Sequence, residues 1–254
     1  MSTVTTHTTA NRAAHSEGLC KFNTTSKAFE ISDGNDWLIY NMDGSVSGTF
    51  YNNSYSAYFD NANDYIAIPT VTQLSAPSAW SFACWFRYQG TPSSTSHMIA
   101  SAGSSPSNRW YIQLDTTSQI KFGNNGVFDN FTISTVNNST WYHLVVSQSS
   151  TSANVYLNGA SVGSATVNAP ANGWGTDFKI GQYFTGDYTW SGYLDEVALF
   201  DSALTEDDAD NIYSNNLYPS RLALWRMENN VNDNEGNYNG TNNGVTFVTS
   251  TKPY

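Results

Sequence analysis

Beyond about residue 58, apolar and polar residues alternate along short stretches of the chain that turn-forming residues separate. The stretch WSFACWFRY, residues 80–88, puts alternate residues from Trp80 to Tyr88 on one face of a strand and the residues between them on the other. Comparable stretches follow as far as GYLDEVALF, residues 192–200, with Asn-Gly and similar turn signals between them. Many short strands without helical periodicity between them predict an all-β fold, an antiparallel β-sandwich or jelly roll.

The first 50 residues lack this long pattern. Residues 1–18 are Thr-rich and polar without periodicity, which predicts an extended N-terminal arm that orders against a partner. Residues 19–50 predict a small β-meander with a turn at Asp33-Gly34, which is too small to support itself and should serve as a docking segment. The sandwich then occupies residues 51–254.

One stretch after the last strong strand has helical rather than strand character. Thr205 is a suitable N-cap, Asp208 can complete a capping box, and Leu204 can pack onto Ala209. The acidic residues 206–208 would lie in the first turn, where the helix dipole favours negative charge. We therefore interpret this acidic run as a capped helix and not as a metal site.

Composition and charge narrow the choice of partners. The chain has 12% charged and 15% aromatic residues. Its net charge of -11 argues against nucleic acid and anionic membranes as partners, because both carry negative charge. No apolar run is long enough for a membrane span, and the first 20 residues lack a secretory signal, so synthesis in the cytoplasm without export is expected. Cys20 and Cys84 are too few for a disulfide scaffold and are expected to be small buried side chains.

Two adjacent carboxylates, Asp195 and Glu196, lie within an apolar strand. Because neighbouring residues of a regular strand face opposite sides, Asp195 should point into the sandwich with Val197 and Leu199, and Glu196 should point away. A glycosidase needs two carboxylates that face each other, roughly 5 to 10 Å apart. No Ser or Cys nucleophile motif accompanies the strand residue His143 either. We therefore expect a protein that is not an enzyme.

Four phrases in a fixed order carry a family resemblance: YFDNANDYIAIP, WSFACWFRY, WYHLVVSQSSTSANVYLNG and FKIGQYFTGDYTWSGYLDEVALFDSALTEDDADNIY. Over residues 58–213 the chain resembles the laminin-G-like jelly rolls of the concanavalin A-like lectin/glucanase superfamily. That family includes carbohydrate-binding modules, pentraxin-like lectins, adhesion domains and some glycosidases, whose Glu-x-Asp-x-x-Glu run is absent here.

The C-terminal segment, residues 222–250, resembles the part that usually opens such a domain. The resemblance implies a circularly permuted jelly roll in which Leu224 and Trp225 supply the strand normally found before residue 58. The alternative is a second copy that has been cut short.

The same resemblance implies a calcium ion. Asp195 matches the family's carboxylate in the closing strand, and Asp60 and Asn61 match the opening phrase, with Asp64 and Asp233 as weaker candidates. Oxygen ligands of this kind suit Ca²⁺. The alternative is that Asp195 accepts backbone N–H bonds from a neighbouring loop, since a buried carboxylate needs partners.

Aromatic residues crowd the Gly-rich loops before the closing strand, namely Trp174, Tyr183, Tyr188 and Trp190. Aromatic faces beside polar side chains are typical of sugar-binding sites. Packing against another subunit explains them equally well, because Tyr and Trp are enriched at protein interfaces. We therefore expect either glycan binding or a homo-oligomer contact at these residues.

The stretch NTTSKAFEISDGNDW, residues 23–37, resembles short β-modules of bacteriophage tail, fibre and head-appendage proteins. This resemblance implies a non-enzymatic structural protein of a virion, attached to other virion proteins through residues 1–50 and displaying a lectin-like jelly roll that can bind surface glycans. The alternative is a carbohydrate-binding adhesion module outside a virion. A glycoside hydrolase is the least favoured interpretation.

Overall fold

The computed structural model describes residues 53–90, 96–125, 127–216, 218–249 and 252, with the backbone alone for 127–135 and for five strands within residues 1–50. The strands are β1 (Thr5–His7), β2 (Cys20–Asn23), β3 (Ala28–Ser32), β4 (Trp37–Tyr40), β5 (Val46–Phe50), β6 (Tyr55–Asp60), β7 (Tyr65–Ile68), β8 (Ala79–Tyr88), β9 (His97–Ser105), β10 (Asn108–Leu114), β11 (Gln119–Asn124), β12 (Val127–Thr135), β13 (Trp141–Ser149), β14 (Ser152–Leu157), β15 (Ala160–Thr166), β16 (Phe178–Ile180), β17 (Ser191–Phe200), β18 (Ala223–Trp225), β19 (Thr241–Asn243) and β20 (Thr246–Thr249). The helix α1 spans Glu206–Asn215.

Two sheets build the sandwich. One has the order β12-β11-β10-β9-β16-β7-β19, and the other has the order β15-β14-β13-β8-β17-β6-β20, with β18 on β17. Apart from the parallel contact between β1 and β2, the strand pairs are antiparallel. The predicted all-β antiparallel sandwich is confirmed.

The core between the sheets is rich in aromatic side chains. On β8 the alternation predicted from the sequence is confirmed, because Trp80, Phe82 and Phe86 all belong to this core. Trp80 packs against Trp110 from the opposite sheet, with ring centroids 4.8 Å apart. Burying such rings removes a large apolar area from water, which is the main stabilising contribution in a fold of this kind.

The helix α1 covers the outer face of the eight-stranded sheet. Its Ala209 and Ile212 pack with Ala198 and Phe200 of β17 in a second, smaller cluster. Thr205 is the N-cap, and its side chain and that of Asp208 form the predicted capping box.

We expect Thr205→Ala to lower the free energy of unfolding by about 1 kcal/mol, because the helix loses the hydroxyl that caps Asp208 N. Urea denaturation measures this, and Thr185→Ala, at a loop hydroxyl outside the helix, is the control. A loss equal to that of the control would contradict the capping role.

The C-terminal segment contributes strands to both sheets. β18 pairs with β17 and β20 pairs with β6 in one sheet, whereas β19 pairs with β7 in the other. The expected strand at Leu224 and Trp225 is therefore present. Its interpretation as a circular permutation stays a prediction.

In the N-terminal part, the strands β2, β3 and β4 form the predicted antiparallel meander, extended by β5. Within the segment expected to be an extended arm, Thr5–His7 pairs in parallel with β2. Cys84 is buried as expected, whereas the side chain of Cys20 lies outside the described residues. The docking role of residues 1–50 and the three-part division of the chain stay predictions.

Candidate functional site: a cleft on the outer face of the seven-stranded sheet

A cleft of about 430 Å³ opens on the outer face of the seven-stranded sheet. It is lined by Ser96, Met98, Arg109, Tyr111, Gln113, Tyr183 and Tyr188. The strands β9 and β10 form its floor, and the loop of residues 181–190 forms one wall. Its lining mixes aromatic rings with hydrogen-bonding side chains.

Strand alternation on β10 positions the polar half of the cleft. Trp110 and Ile112 belong to the core, so Arg109, Tyr111 and Gln113 project from the opposite face. Tyr111 lies across the neighbouring strand at a position opposite Gly123. A Cβ at that glycine would come within 2.2 Å of the Tyr111 ring, so only glycine allows this approach.

Arg109 lies between two tyrosine rings. Its guanidinium carbon is 5.6 Å from the centroid of Tyr111 and 5.5 Å from that of Tyr183, and Nη1 donates to the Tyr183 hydroxyl. Contacts of this geometry are attractive cation–π interactions. Burial raises the pKa of Tyr183, and the charge of Arg109 only partly offsets this. Arg109 therefore holds a neutral Tyr183 at the cleft wall.

The loop of residues 181–190 is closed on itself and tied to the sheet. Trp190 N donates to Gly181 O, and Gly181 N donates to Ile99 O of β9. His97 accepts from or donates to Tyr88 at Nε2, 3.2 Å away, while its Nδ1 lies 3.1 Å from Thr189 O. Since the carbonyl can only accept, Nδ1 carries the proton. These bonds position the neighbouring Tyr188.

Two of the four aromatic residues predicted to contact a glycan or a subunit are core residues. Trp174 and Trp190 are both 0% exposed. Trp174 packs edge-on against Trp80 at 5.5 Å, and Trp190 packs edge-on against Phe86 at 6.0 Å. The prediction for these two residues is wrong, because each indole anchors its loop inside the sandwich and presents no face to a ligand.

The other two residues lie in the cleft. Tyr188 is 47% exposed, Tyr183 is half-buried, and their ring centroids are 6.0 Å apart in an edge-on arrangement. Sequence reasoning missed the floor residues Arg109, Tyr111 and Gln113. The alternation RWYIQ was the available signal, but it does not show which face of the strand meets solvent.

The strand β17 contains a bulge between Asp195 and Ala198. Asp195 pairs with Trp85 and Ala198 pairs with Ala83, so β17 has one residue more than β8 between these two pairs. At the bulge, Glu196 has a left-handed φ of 47°. Leu194 and Val197 consequently both face the core between the sheets although they are three residues apart. Asp195 therefore lies on the outer face of the sheet with Glu196. The prediction that Asp195 points into the sandwich with Val197 is wrong, because side chains alternate between the two faces only in a regular strand.

Asp195 and Glu196 are both 0% exposed and belong to one buried polar group, the 195–196 cluster. The cluster comprises Asn53, Ser56, Asp195, Glu196, Arg226 and Lys252. Asp195 Oδ2 accepts from Asn53 Nδ2 at 2.9 Å and from Ser56 Oγ at 2.8 Å. Glu196 Oε1 accepts from Arg226 Nη2 at 2.9 Å and lies 3.7 Å from Lys252 Nζ. Pairing of this kind offsets the cost of burying the charges.

The two carboxyl groups differ in their acidity. Burial raises the pKa of Asp195 to about 7, although the nearby Lys252 partly offsets the shift. Burial also acts on Glu196, but the charges of Arg226 and Lys252 outweigh it and lower the pKa to about 2. Glu196 is therefore the ionised member of the pair, and Asp195 can hold a proton near neutral pH.

We expect wild-type stability to fall, relative to Asp195→Asn, as pH rises from 3.8 to about 7. The folded pKa is raised, so the folded state binds more protons than the unfolded chain in this window, and stability declines with rising pH. Tm measured against pH for both proteins tests this, with the exposed Asp201→Asn as control. Parallel curves for wild type and Asp195→Asn would contradict it.

The residues expected to bind calcium are not brought together. Asp60 pairs with Ser191, four residues before Asp195 on β17, which places them roughly 13 Å apart along the strand. Asn61 Oδ1 accepts from Thr189 Oγ1 at 2.8 Å. The oxygens of Asp195 already accept from protein donors, with a lysine nearby, so they do not fit a Ca²⁺ ion. Calcium at Asp60 and Asn61 stays a prediction.

The two weaker metal candidates have structural roles. Asp64 Oδ2 accepts from Asp60 N at 2.9 Å. Asp233 accepts from four backbone N–H groups, those of residues 224, 235, 237 and 238. Within the described ranges, no group of three or more His, Cys, Asp and Glu side chains is arranged to hold a metal ion.

A model of the concanavalin A-like lectin/glucanases superfamily matches residues 60–209, more than half of the chain. The chain belongs to this superfamily. No curated protein matches it in sequence. Superfamily membership agrees with the sandwich and with a lectin-like fold, but the superfamily by itself does not decide which ligand is bound.

Solved structures share the superfamily fold at low sequence identity. A Bacteroides ovatus protein provisionally described as carbohydrate-binding has a TM-score of 0.63 and 15% identity, and the match covers 89% of this chain and 74% of that one. A heptameric SAP-like pentraxin from Limulus polyphemus has a TM-score of 0.58 and 17% identity, covering 78% and 96%. A Trypanosoma rangeli sialidase has a TM-score of 0.52 and 13% identity, covering 71% of this chain but only 30% of the enzyme.

Two further observations concern the carboxylates of β17 and the helices of this superfamily member. Its adjacent carboxylates at 195 and 196 are enclosed, so a substrate cannot reach them. Among the described residues, no helix is both long enough and apolar enough to cross a membrane.

Proposed function

We propose that this protein is a non-enzymatic lectin-like protein that binds glycans in the cleft between β10 and the loop of residues 181–190. The observation that carries the proposal is the pairing of Tyr188, 47% exposed, with the hydrogen-bonding side chains of Arg109 and Gln113 in one cleft. Pyranose rings offer apolar faces to aromatic side chains and hydroxyls to polar ones. The cleft volume of about 430 Å³ lies within the range of small-ligand sites.

The fold of the related structures supports this proposal. One relative is provisionally described as carbohydrate-binding, and it aligns over 89% of this chain. Its identity of 15% supports a shared fold and leaves the ligand to be established for each protein.

A glycan array probed with the wild-type chain tests the proposal. We expect binding to a defined set of glycans that is lost in Tyr188→Ala and kept in Tyr55→Ala, an exposed tyrosine on the opposite sheet. Absence of binding by the folded wild-type protein would overturn the proposal.

We further propose that the protein is a structural component of a bacteriophage virion and that residues 1–50 attach it to other virion proteins. The support is the resemblance of residues 23–37 to phage appendage modules, together with the separate five-stranded sheet that β1 to β5 form. The alternative is an adhesion module outside a virion. Immunogold labelling of purified phage particles distinguishes the two, because an adhesion module would leave the particles unlabelled.

We also propose that the protein forms a homo-oligomer and that Asp60 and Asn61 bind a calcium ion. Analytical ultracentrifugation tests the first, and a monomer at all concentrations would contradict it. Melting with and without EDTA tests the second. We expect Asp60→Ala, and not Asp195→Ala, to abolish any difference that EDTA makes.

A further inference from the structure

The two ends of the sandwich meet at the 195–196 cluster. β20 pairs antiparallel with β6, and Thr249 lies opposite Tyr55. Lys252, three residues after Thr249, and Asn53, two residues before Tyr55, therefore lie at the same end of this strand pair. Both side chains contact the same oxygen, Glu196 Oε1, at 3.7 Å from Lys252 Nζ and 3.4 Å from Asn53 Nδ2.

We propose that Lys252 and Asn53 join in an isopeptide bond between the lysine Nζ and the asparagine Cγ, with Asp195 carrying the proton. Lysine, amide and acid belong to one cluster in which Lys252 and Asp195 are buried and Asn53 is partly buried, and this is the combination of side chains that the reaction requires. The bond is a covalent modification that is independent of the glycan cleft.

The reaction balances without any other reagent. The Asp195 carboxylate takes a proton from the Lys252 ammonium, and the neutral Nζ attacks Cγ of Asn53 to form a C–N bond. The carboxyl group then returns the proton to Nδ2, and the Cγ–Nδ2 bond breaks. The departing ammonia takes up the second proton that the attacking Nζ loses, so the products are the secondary amide and one ammonium ion. Asp195 Oδ2 is placed for this transfer, because it is 2.9 Å from Nδ2.

The surroundings favour this chemistry. The Lys252 side chain is only 1% exposed, and its Nζ lies 5.5 Å from the centroid of the Trp85 ring. Exclusion of water strengthens the interaction between the amine and the acid and favours direct proton transfer between them. The raised pKa of Asp195 agrees with this, while Arg226 keeps Glu196 ionised. Holding both reacting groups in one site also removes the entropic cost of bringing them together.

The bond would close residues 53–252 into one covalent ring. A cross-link that spans nearly the whole sandwich restricts the unfolded chain strongly, as a long-range disulfide does. It would also carry force applied to the two ends of the domain without loading the β6–β20 pair.

Mass spectrometry of the full-length protein in denaturing solvent tests the proposal. We expect the wild-type mass to be lower than the sequence mass by one ammonia, and a digest to contain a peptide joined through Asn53 and Lys252. Lys252→Met, Asn53→Ala and Asp195→Asn should each have their full sequence mass. Lys179→Met, at a half-buried lysine on the other sheet, should retain the loss.

Each other outcome overturns the proposal. A wild-type protein at full sequence mass has no bond, and this result does not depend on whether any variant folds. An ammonia loss that persists in Lys252→Met indicates a succinimide, for example at Asn158-Gly159. Loss of one water instead of ammonia indicates that Lys252 is acylated by a carboxyl group such as that of Glu196, not by Asn53.

Discussion

Arg226→Met is expected to lower the free energy of unfolding by about 3–5 kcal/mol, because it leaves the charge of Glu196 buried without its closest partner. Arg226 is 7% exposed, and both its Nε and Nη2 donate to Glu196 Oε1, at 3.3 and 2.9 Å. Lys252 Nζ, at 3.7 Å, compensates only partly. Urea denaturation followed by tryptophan fluorescence measures the loss.

The chain offers a matched control for this experiment. Arg221 Nη2 pairs with Glu235 at 2.7 Å, but the two side chains are 17% and 33% exposed. Exposed pairs contribute up to about 1 kcal/mol, so Arg221→Met should cost much less than Arg226→Met. Equal losses in the two variants would show that the 195–196 cluster does not depend on the buried pair.

Tyr188→Ala is expected to weaken glycan binding at least about tenfold, which corresponds to about 1.4 kcal/mol. Tyr188 is the most exposed ring of the cleft and is held by the loop whose ends meet at Gly181 and Trp190. A well-placed aromatic contact in a binding site accounts for a loss of this size when it is removed. Isothermal titration with a glycan taken from the array measures the change.

A second cleft variant, Arg109→Met, tests whether Arg109 contributes to binding by holding Tyr183 at the cleft wall. Arg109→Met keeps most of the packing between Tyr111 and Tyr183 but removes the bond to the Tyr183 hydroxyl. We expect weaker binding and a lower melting temperature, because the variant also loses two cation–π contacts. Tyr55→Ala should bind like wild type, and a loss in Tyr55→Ala equal to that in Tyr188→Ala would place the site elsewhere.

Much of the fold could be predicted from local patterns. Alternation identified β8 and β17, and capping residues identified α1, because both signals depend on residues close together in sequence. The strand at Leu224 and Trp225 came from a family resemblance. Each of these elements matches the structure.

The prediction for Asp195 failed because of a local backbone irregularity. A bulge with positive φ at Glu196, a residue that rarely adopts it, leaves no clear mark in the sequence. One inserted residue reverses the face of every side chain before it relative to those after it. The partners Asn53, Arg226 and Lys252 also lie far away in sequence, so only the tertiary fold brings them together.

The aromatic loop shows a different limit of sequence reasoning. Trp174, Tyr183, Tyr188 and Trp190 look alike in the sequence, yet the indoles fill the core while the tyrosines line the cleft. Residue type does not distinguish a loop anchor from a binding residue, since both use aromatic rings near glycines. Only the position of the loop above β9 and β10 separates them.

We propose that glycans bind in the cleft on the outer face of the seven-stranded sheet. Hydrogen–deuterium exchange of the full-length protein, with and without a saturating glycan from the array, tests it most directly. We predict slower exchange in residues 181–190 and in the β9 and β10 segments around Met98 and Tyr111, with no change around Asp60 and Asn61. Protection confined to residues 60–64 or to the eight-stranded sheet would contradict binding in the cleft.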